Sequence, residues 1–312
     1  MKIVFMGTPD LAEKILEAIV RAGHEVTAVV TQPDRAKGRS GQAQFPPVKQ
    51  CALKYGIPVL QPEKIKTPEA VQELRGYEAD IFVVVAFGQF LSKEILDMPR
   101  LGCVNIHASL LPKYRGAAPI NQCIIDGEKE TGVTIQQMGE GIDTGDILTV
   151  KVVPIAPKET AETLYDKLSD AGAELIVETL PRLERGEITP MKQDESLSSY
   201  AKKLDKALGE IDWSKDAVTL ERLVRGLNPW PSAYTFYRGK SVKLWDCEVV
   251  ETTQPGAEAG TITAVAKDSF DVACGTGSLR VLALQPEGKK RMDTKTFLLG
   301  NPWKPGMRLG KE

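Results

Sequence analysis

MKIVFMGTPDLAEKILEAIVRAGHEVTAVVT, residues 1–31, decides the fold. Lys2 to Met6 is a buried-strand pattern that stops at Gly7-Thr8-Pro9-Asp10. Apolar residues then recur at helical spacing from about Leu11 to Ala22, and Glu25 to Thr31 reads as a second strand. Strand, helix and strand in this order make a β-α-β unit, the opening of an α/β sheet. The turn after the first strand is G-T-P and not G-x-G-x-x-G, so the fingerprint of a dinucleotide site is missing and an NAD-linked oxidoreductase loses its support. Gly7 reads as a tight turn. A strand-end turn of this kind is still where such a sheet takes a ligand.

The same pattern continues. Val48 to Tyr55 reads as a helix, Ile57 to Leu60 as a short strand and Lys64 to Gly76 as a helix. DIFVVVA, residues 80–86, is a continuous β-branched run, as expected of a central parallel strand buried on both faces. Ser92 to Met98 is a short helix, Cys103 to Ile106 a strand, Ala118 to Asp126 a helix ended by Gly127, and Thr131 to Met138 and Gly145 to Pro154 are strands. Thr160 to Gly186 is a long amphipathic helix. Lys192 to Lys206 is polar and has no strong period, which suggests a linker over 191–208 between a domain of residues 1–190 and one of residues 209–312. Past Gly209 short strand-like runs alternate with Gly, the pattern of a small antiparallel β-barrel, OB-like in kind.

Composition narrows the function. A chain of 312 residues with 26% charged residues is an ordinary globular protein with room for two domains. The net charge of −2 gives no bulk attraction to nucleic acid. Residues from 209 on carry 15 Lys and Arg against 13 Asp and Glu, while the rest of the chain is acidic. The five Cys are scattered, with no C-x-x-C pair, which argues against a zinc site or a disulfide framework and fits a reducing cytosol. No apolar run approaches membrane-spanning length, and the MKIVFMGTP start is too soon interrupted for a signal peptide.

The chemistry concentrates in VNIHASLLPKYRGAAPI, residues 104–120. Asn105 and His107 sit two apart, so on a strand they share a face. GIDTGDIL, residues 141–148, places Asp143 in a Gly-rich turn running into a strand. An Asn to stabilise an oxyanion, a His to handle a proton and an Asp to tune the His would suit acyl transfer. Asp143 alone also fits an ordinary Asx turn. Two further stretches stay open. Phe87-Gly88-Gln89-Phe90-Leu91 is either a plain turn with its Phe rings in the core or a strand edge whose backbone binds a flat heterocycle. TQPDRAKGRSGQAQFPP, residues 31–47, is by composition a solvated loop, yet its length is unusual in a compact domain and such loops are often functional.

IHASLLPKYRGAAPI followed by ETGVTIQQMGEGIDTGDIL resembles the folate-dependent formyltransferases, most closely those that act on methionyl-tRNA, and the resemblance covers nearly the whole chain. It implies a Rossmann-like catalytic domain with a mostly parallel sheet and a C-terminal OB-like domain that carries the tRNA. It implies Asn105, His107 and Asp143 as the catalytic set. The folate site would comprise Phe87, Gly88, Gln89, Phe90 and Leu91, with Ser109, Leu110, Leu111, Pro112 and Ile142. Arg35, Lys37 and Arg39 of the basic loop, and Lys289, Lys290 and Arg291 of the second domain, would meet tRNA phosphates, where charge rather than fixed geometry gives affinity. The implied reaction moves a formyl group from 10-formyltetrahydrofolate to methionyl-initiator tRNA in translation initiation, without a metal, in a cytoplasmic monomer. A formyltransferase acting on a 4-amino sugar nucleotide would share the motif, but the basic loop and the AAPI continuation favour tRNA. A non-catalytic RNA-binding protein would not need the Asn, His and Asp together.

Overall fold

The computed structural model describes residues 1–36, 43–251 and 256–311. Lys37 and Arg39 of the basic loop lie outside the described residues. The chain divides into two compact units. Met1–Pro119, Glu130–Pro154 and Tyr165–Ala201 form the first, and Ile120–Lys129, Ile155–Leu164 and Lys202–Glu312 the second.

The elements begin with β1 (Lys2–Gly7), α1 (Asp10–Arg21), β2 (Glu25–Val30), β3 (Arg35–Ala36), β4 (Ala43–Gln44), α2 (Pro47–Lys54), β5 (Val59–Leu60), α3 (Pro68–Arg75) and β6 (Ile81–Val85). They continue with α4 (Lys93–Leu96), β7 (Cys103–His107), β8 (Arg115–Gly116), α5 (Pro119–Asp126), β9 (Glu130–Gln137), β10 (Ile147–Pro154), α6 (Ala161–Glu184) and β11 (Tyr200–Ala201). The sheet order in the first unit is β10-β9-β7-β6-β1-β2-β5. Pairings from β5 to β7 are parallel, and β9 and β10 add antiparallel strands at one side. The chain reverses its direction of travel across the sheet between β1 and β6, the switch point at whose carboxyl strand ends open α/β sheets take their ligands.

Both faces of the central strands are covered. Val4, Met6, Phe82 and Val84 pack with Val71 and Leu74 of α3 and Ile95 of α4. On the opposite face α6 comes so close to α1 and β7 that a Cβ on Gly172 would lie 3.2 Å from Ile15 and 3.4 Å from Ile106. Gly7 is a glycine for the same kind of reason. Its φ is not left-handed, but a Cβ would meet Ala12 at 2.7 Å and the Val85 carbonyl at 2.9 Å, so close packing and not the turn excludes a side chain. The helix expected from Lys64 starts only at Pro68. Thr67 caps it by accepting from Ala70 N at 3.3 Å, and proline suits the first helical position because its missing N–H has no partner to lose there.

Residues 192–201, read from sequence as part of a linker, fall within the first unit. β11 pairs in parallel with β8, and Met191 exchanges backbone hydrogen bonds with Ile147 at 2.7 and 2.9 Å. Pairings this short are made by distant partners and leave no local period to read.

In the second unit come α7 (Ala217–Gly226), β12 (Ala233–Tyr237), β13 (Lys240–Val250), β14 (Ile262–Val265), β15 (Phe270–Ala273), β16 (Ser278–Pro286), β17 (Met292–Asp293) and α8 (Thr294–Gly300). The strands form an antiparallel sheet, ordered β12-β13-β16-β15-β14 with β17 against β16. β14 and β12 are not paired directly; the C-terminal segment bridges them, with Ile262 N donating to the Met307 carbonyl and Leu309 N to the Gly260 carbonyl at 2.8 Å, and Gly310 N donating to the Phe236 carbonyl of β12 at 2.9 Å. Its core centres on Trp303, whose ring lies 5.0 Å from Phe270 and 4.9 Å from Phe297. No helix among the described residues is long and apolar enough to cross a membrane.

Candidate active site

β7 carries Asn105 and His107 on one face. Across the ladder Asn105 opposes Gln136 and His107 opposes Thr134, so four polar side chains share that face. His107 is 7% exposed, and its Nε2 lies 2.8 Å from the Tyr114 carbonyl. A carbonyl only accepts, so Nε2 carries the proton. With Nε2 protonated, Nδ1 is the ring nitrogen that faces Asp143, whose Oδ2 lies 3.6 Å away, and in the uncharged form of the ring it presents a lone pair there. That gap is too long for a direct hydrogen bond, and Nδ1 is left ready to take a proton. Once charged, the ring is stabilised by the neighbouring carboxylate.

Asp143 sits at φ 52°, a left-handed conformation that Asp tolerates better than most residues. Both of its oxygens are held. Gly116 N donates to Oδ2 at 2.8 Å and Gln136 Nε2 donates to Oδ1 at 2.9 Å. The loop backbone is pinned as well, because Gln193 Nε2 donates to the Asp143 carbonyl at 2.8 Å and to the Gly145 carbonyl at 2.7 Å. Gly145 has no room for a side chain, since a Cβ there would run into the Gln137 carbonyl.

Arg115 supports this arrangement from below. Its residue is fully buried. Its Nε and Nη2 donate to Gln193 Oε1 at 3.1 and 2.8 Å, and Nη1 and Nη2 donate to the Glu195 carboxylate at 2.8 and 2.7 Å. Hydrogen bonding to the guanidinium holds the Glu195 carboxyl below its ordinary range, and the carboxylate in turn raises Arg115. Ser199 completes the frame: its Oγ accepts from Tyr114 N at 2.9 Å and its carbonyl from Arg115 N at 2.8 Å. The segment after α6 thus sets the carbonyl that fixes the His107 tautomer and the N–H that holds Asp143.

The residues expected at the folate are placed unequally. Asn105 is half-buried, and its amide has no hydrogen-bond partner among the described residues. Phe87 is core, 2% exposed, with its carbonyl accepting from Gln32 Nε2 at 3.0 Å. The Gln89 side chain is committed to Ile65 N at 2.8 Å and the Pro62 carbonyl at 3.2 Å. These two can offer a ligand only backbone. Gly88 lies in a left-handed turn with Ala86, and Phe90 and Ile142 are 65% and 49% exposed. Ser109 is buried and donates to the Lys113 carbonyl at 2.6 Å, while Thr134 Oγ1 bridges the Ser109 carbonyl and Leu111 N, so these residues shape the loop. Leu110, Pro112 and Leu91 are half-buried, and Leu111 is buried. Arg35, Lys289, Lys290 and Arg291 are exposed, and Arg291 stacks over Trp245 at 4.8 Å. Sequence reasoning passed over Gln136, Arg115 and Gln193. Arg115 and Gln136 lay in stretches already singled out, IHASLLPKYRGAAPI and ETGVTIQQMGEGIDTGDIL, but nothing local marks their roles, and Gln193 lay outside both.

Comparison with known proteins now gives the family. Residues 1–180 match the formyl transferase family and residues 203–302 the formyl transferase C-terminal domain. The methionyl-tRNA formyltransferase of Lachnospira eligens is 54% identical over 315 residues, covering 100% of both chains. An N-formyltransferase from Helicobacter canadensis, solved with folinic acid and dTDP-3-aminofucose, superposes with a TM-score of 0.68 at 19% identity over 92% of this chain and 99% of its own. HypX from Aquifex aeolicus, solved with tetrahydrofolic acid, gives 0.65 at 18% identity over all of this chain, which spans 51% of that one. At such identities these two likenesses show the fold alone. The full-length identity to the Lachnospira eligens enzyme and the match over residues 1–180 go further: the chain belongs to the formyl transferase family, in its methionyl-tRNA formyltransferase branch.

Proposed function

We propose that this chain transfers the formyl group of 10-formyltetrahydrofolate to the α-amino group of methionyl-initiator tRNA, with Asn105, His107 and Asp143 as the catalytic residues. The observation that carries the reading is the pairing of His107 Nδ1 with Asp143 Oδ2 at 3.6 Å, on the face where Asn105 keeps its amide unused. The bound donor supplies an activated formyl carbon and a leaving nitrogen. The exposed Phe90, just after the left-handed turn at Ala86 and Gly88, and the exposed Ile142 next to Asp143 in the chain suit a flat heterocycle with a hydrogen-bonding edge.

The attacking amine must be neutral. Model α-amino groups titrate at about 7.7–8.0, so an appreciable neutral fraction exists near pH 7 and no strong base is needed. As the amine adds, the formyl oxygen gathers negative charge, and the Asn105 amide donates to it. His107 Nδ1 takes the proton that the amine releases, and Asp143 stabilises the resulting imidazolium. His107 then returns the proton toward the departing N10, so one C–N bond forms, one breaks and the proton count balances. Losing a donor of the Asn105 kind typically costs about 2.7–4 kcal/mol in the barrier.

The exposed cations Arg35, Lys289, Lys290 and Arg291, with Lys37 and Arg39, would carry the tRNA. The test is a formyl-transfer assay that offers 10-formyltetrahydrofolate with either charged initiator tRNA or amino-sugar nucleotides. Transfer to the tRNA alone is the expected result; transfer to the sugar alone would replace this reading.

A further inference from the structure

We infer that Gln136 is a positioning residue for the reaction, its carboxamide holding the Asp143 carboxylate in the orientation that faces His107. The inference deepens the function proposed above and rests on Asp143 acting there. Gln136 is 2% exposed and stands across the ladder from Asn105, so its side chain rises from the same face as the catalytic pair on β7. Both ends of its amide go to one loop: Nε2 donates to Asp143 Oδ1 at 2.9 Å, and Oε1 accepts from Gly145 N at 3.2 Å. The grip spans Thr144 and leaves Oδ2 to Gly116 N and to His107. A buried carboxamide is costly unless both of its dipole ends are used, and here both are used on the loop that carries the carboxylate. The charged groups facing this pair are His107 from β7 and Arg115 from β8, which reaches the loop through Gln193 and is itself paired with Glu195.

The chemistry gives a signature that a purely structural role would lack. Gln136→Glu is isosteric. When protonated, the introduced carboxyl donates to Asp143 Oδ1 as the amide does. When ionised, it sets two carboxylates about 3 Å apart, an arrangement that opposes ionisation of both. The experiment is kcat/KM for formyl transfer against pH, expressed as the ratio of variant to wild type so that titration of the substrate amine cancels. The expected ratio is within about threefold of unity at the acid end and falls as pH rises, by on the order of 10–100-fold, the usual scale for a group that orients a working ligand. The KM for the folate donor stays unchanged. Gln136→Leu, lacking both ends of the amide, lowers kcat at every pH. A flat ratio for Gln136→Glu overturns the inference, as does wild-type kcat in Gln136→Leu. If Gln136→Leu does not fold, the isosteric variant decides alone. Asp143→Asn, assayed in parallel, separates the failures. Turnover retained there removes the proposed role of Asp143 itself. Turnover lost there, with a flat Gln136→Glu ratio, removes only the positioning role of Gln136.

Discussion

Replacing Arg115 by Met tests whether the buried guanidinium braces the site. The side chain is fully buried on the Gln193 side, while its other partner, Glu195, is 70% exposed. Met fills much of the same volume but donates nothing. Gln193 Oε1 then loses two donors, and Glu195 returns to water at little cost. Hydrogen bonds to a charged group contribute about 1.5–3 kcal/mol, and an unsatisfied buried acceptor costs about 1–3 kcal/mol. Arg115→Met should therefore lower the unfolding free energy by about 2–4 kcal/mol. Glu195→Gln, which leaves an acceptor for the guanidinium and touches only the solvent side, should cost clearly less. The assay is urea unfolding of both variants at constant slope, alongside formyl-transfer kcat. Because Gln193 holds the carbonyls of Asp143 and Gly145, Arg115→Met should also lower kcat. Equal destabilisation by the two substitutions would refute the argument that burial decides the effect.

Burial pushes the Cys103 and Cys274 thiols up to about 12 and Cys51 to about 11, whereas unfolded thiols titrate near 8.5. Folded values above unfolded ones mean that the contribution of the protonated thiols is fully present below about pH 8.5 and is lost as pH rises toward 11–12. Unfolding free energy should accordingly decline above pH 9, by up to about 1.4 kcal/mol per pH unit for each thiol, and a flat profile there would count against the buried assignment. In the second unit Trp303 packs against Tyr237, Phe270 and Phe297, so Trp303→Ala should cost about 3–5 kcal/mol by calorimetry or denaturant, and a loss under 1 kcal/mol would remove it from the core. Neutralising Arg35, Lys37 and Arg39 together should raise KM for methionyl-tRNA, flatten its salt dependence by roughly 0.9 per lost phosphate contact, and leave KM for the folate donor alone. An unchanged tRNA KM would take the loop out of the account.

Much of the fold was legible because burial leaves a period. DIFVVVA could only be a strand covered on both faces, and the long helix after Thr160 showed its amphipathic stripe; both are found where the pattern placed them. Boundaries shifted where a cap decided them: the helix read from Lys64 starts at Pro68, where Thr67 accepts from Ala70 N at 3.3 Å. Asn105 and His107 could be placed on one face from spacing alone. Gln193, Glu195 and Ser199 could not, because their roles depend on partners some 50 to 85 residues away, such as Gln193 with Asp143 and Ser199 with Tyr114, and a polar stretch without period looks like a linker. Gln136 was hidden differently. A buried polar residue in an alternating strand resembles any other inward position until its cross-strand neighbour is known.

The central claim is that Asp143 acts on the reaction through His107. Asp143→Asn tests it most directly, since Asn tolerates the left-handed backbone and keeps the side-chain size. Single-turnover formyl transfer from 10-formyltetrahydrofolate to charged initiator tRNA should fall by at least about 100-fold, while the equilibrium affinity for the folate stays within a few fold of wild type. Turnover close to wild type in a folded Asp143→Asn protein would contradict the account.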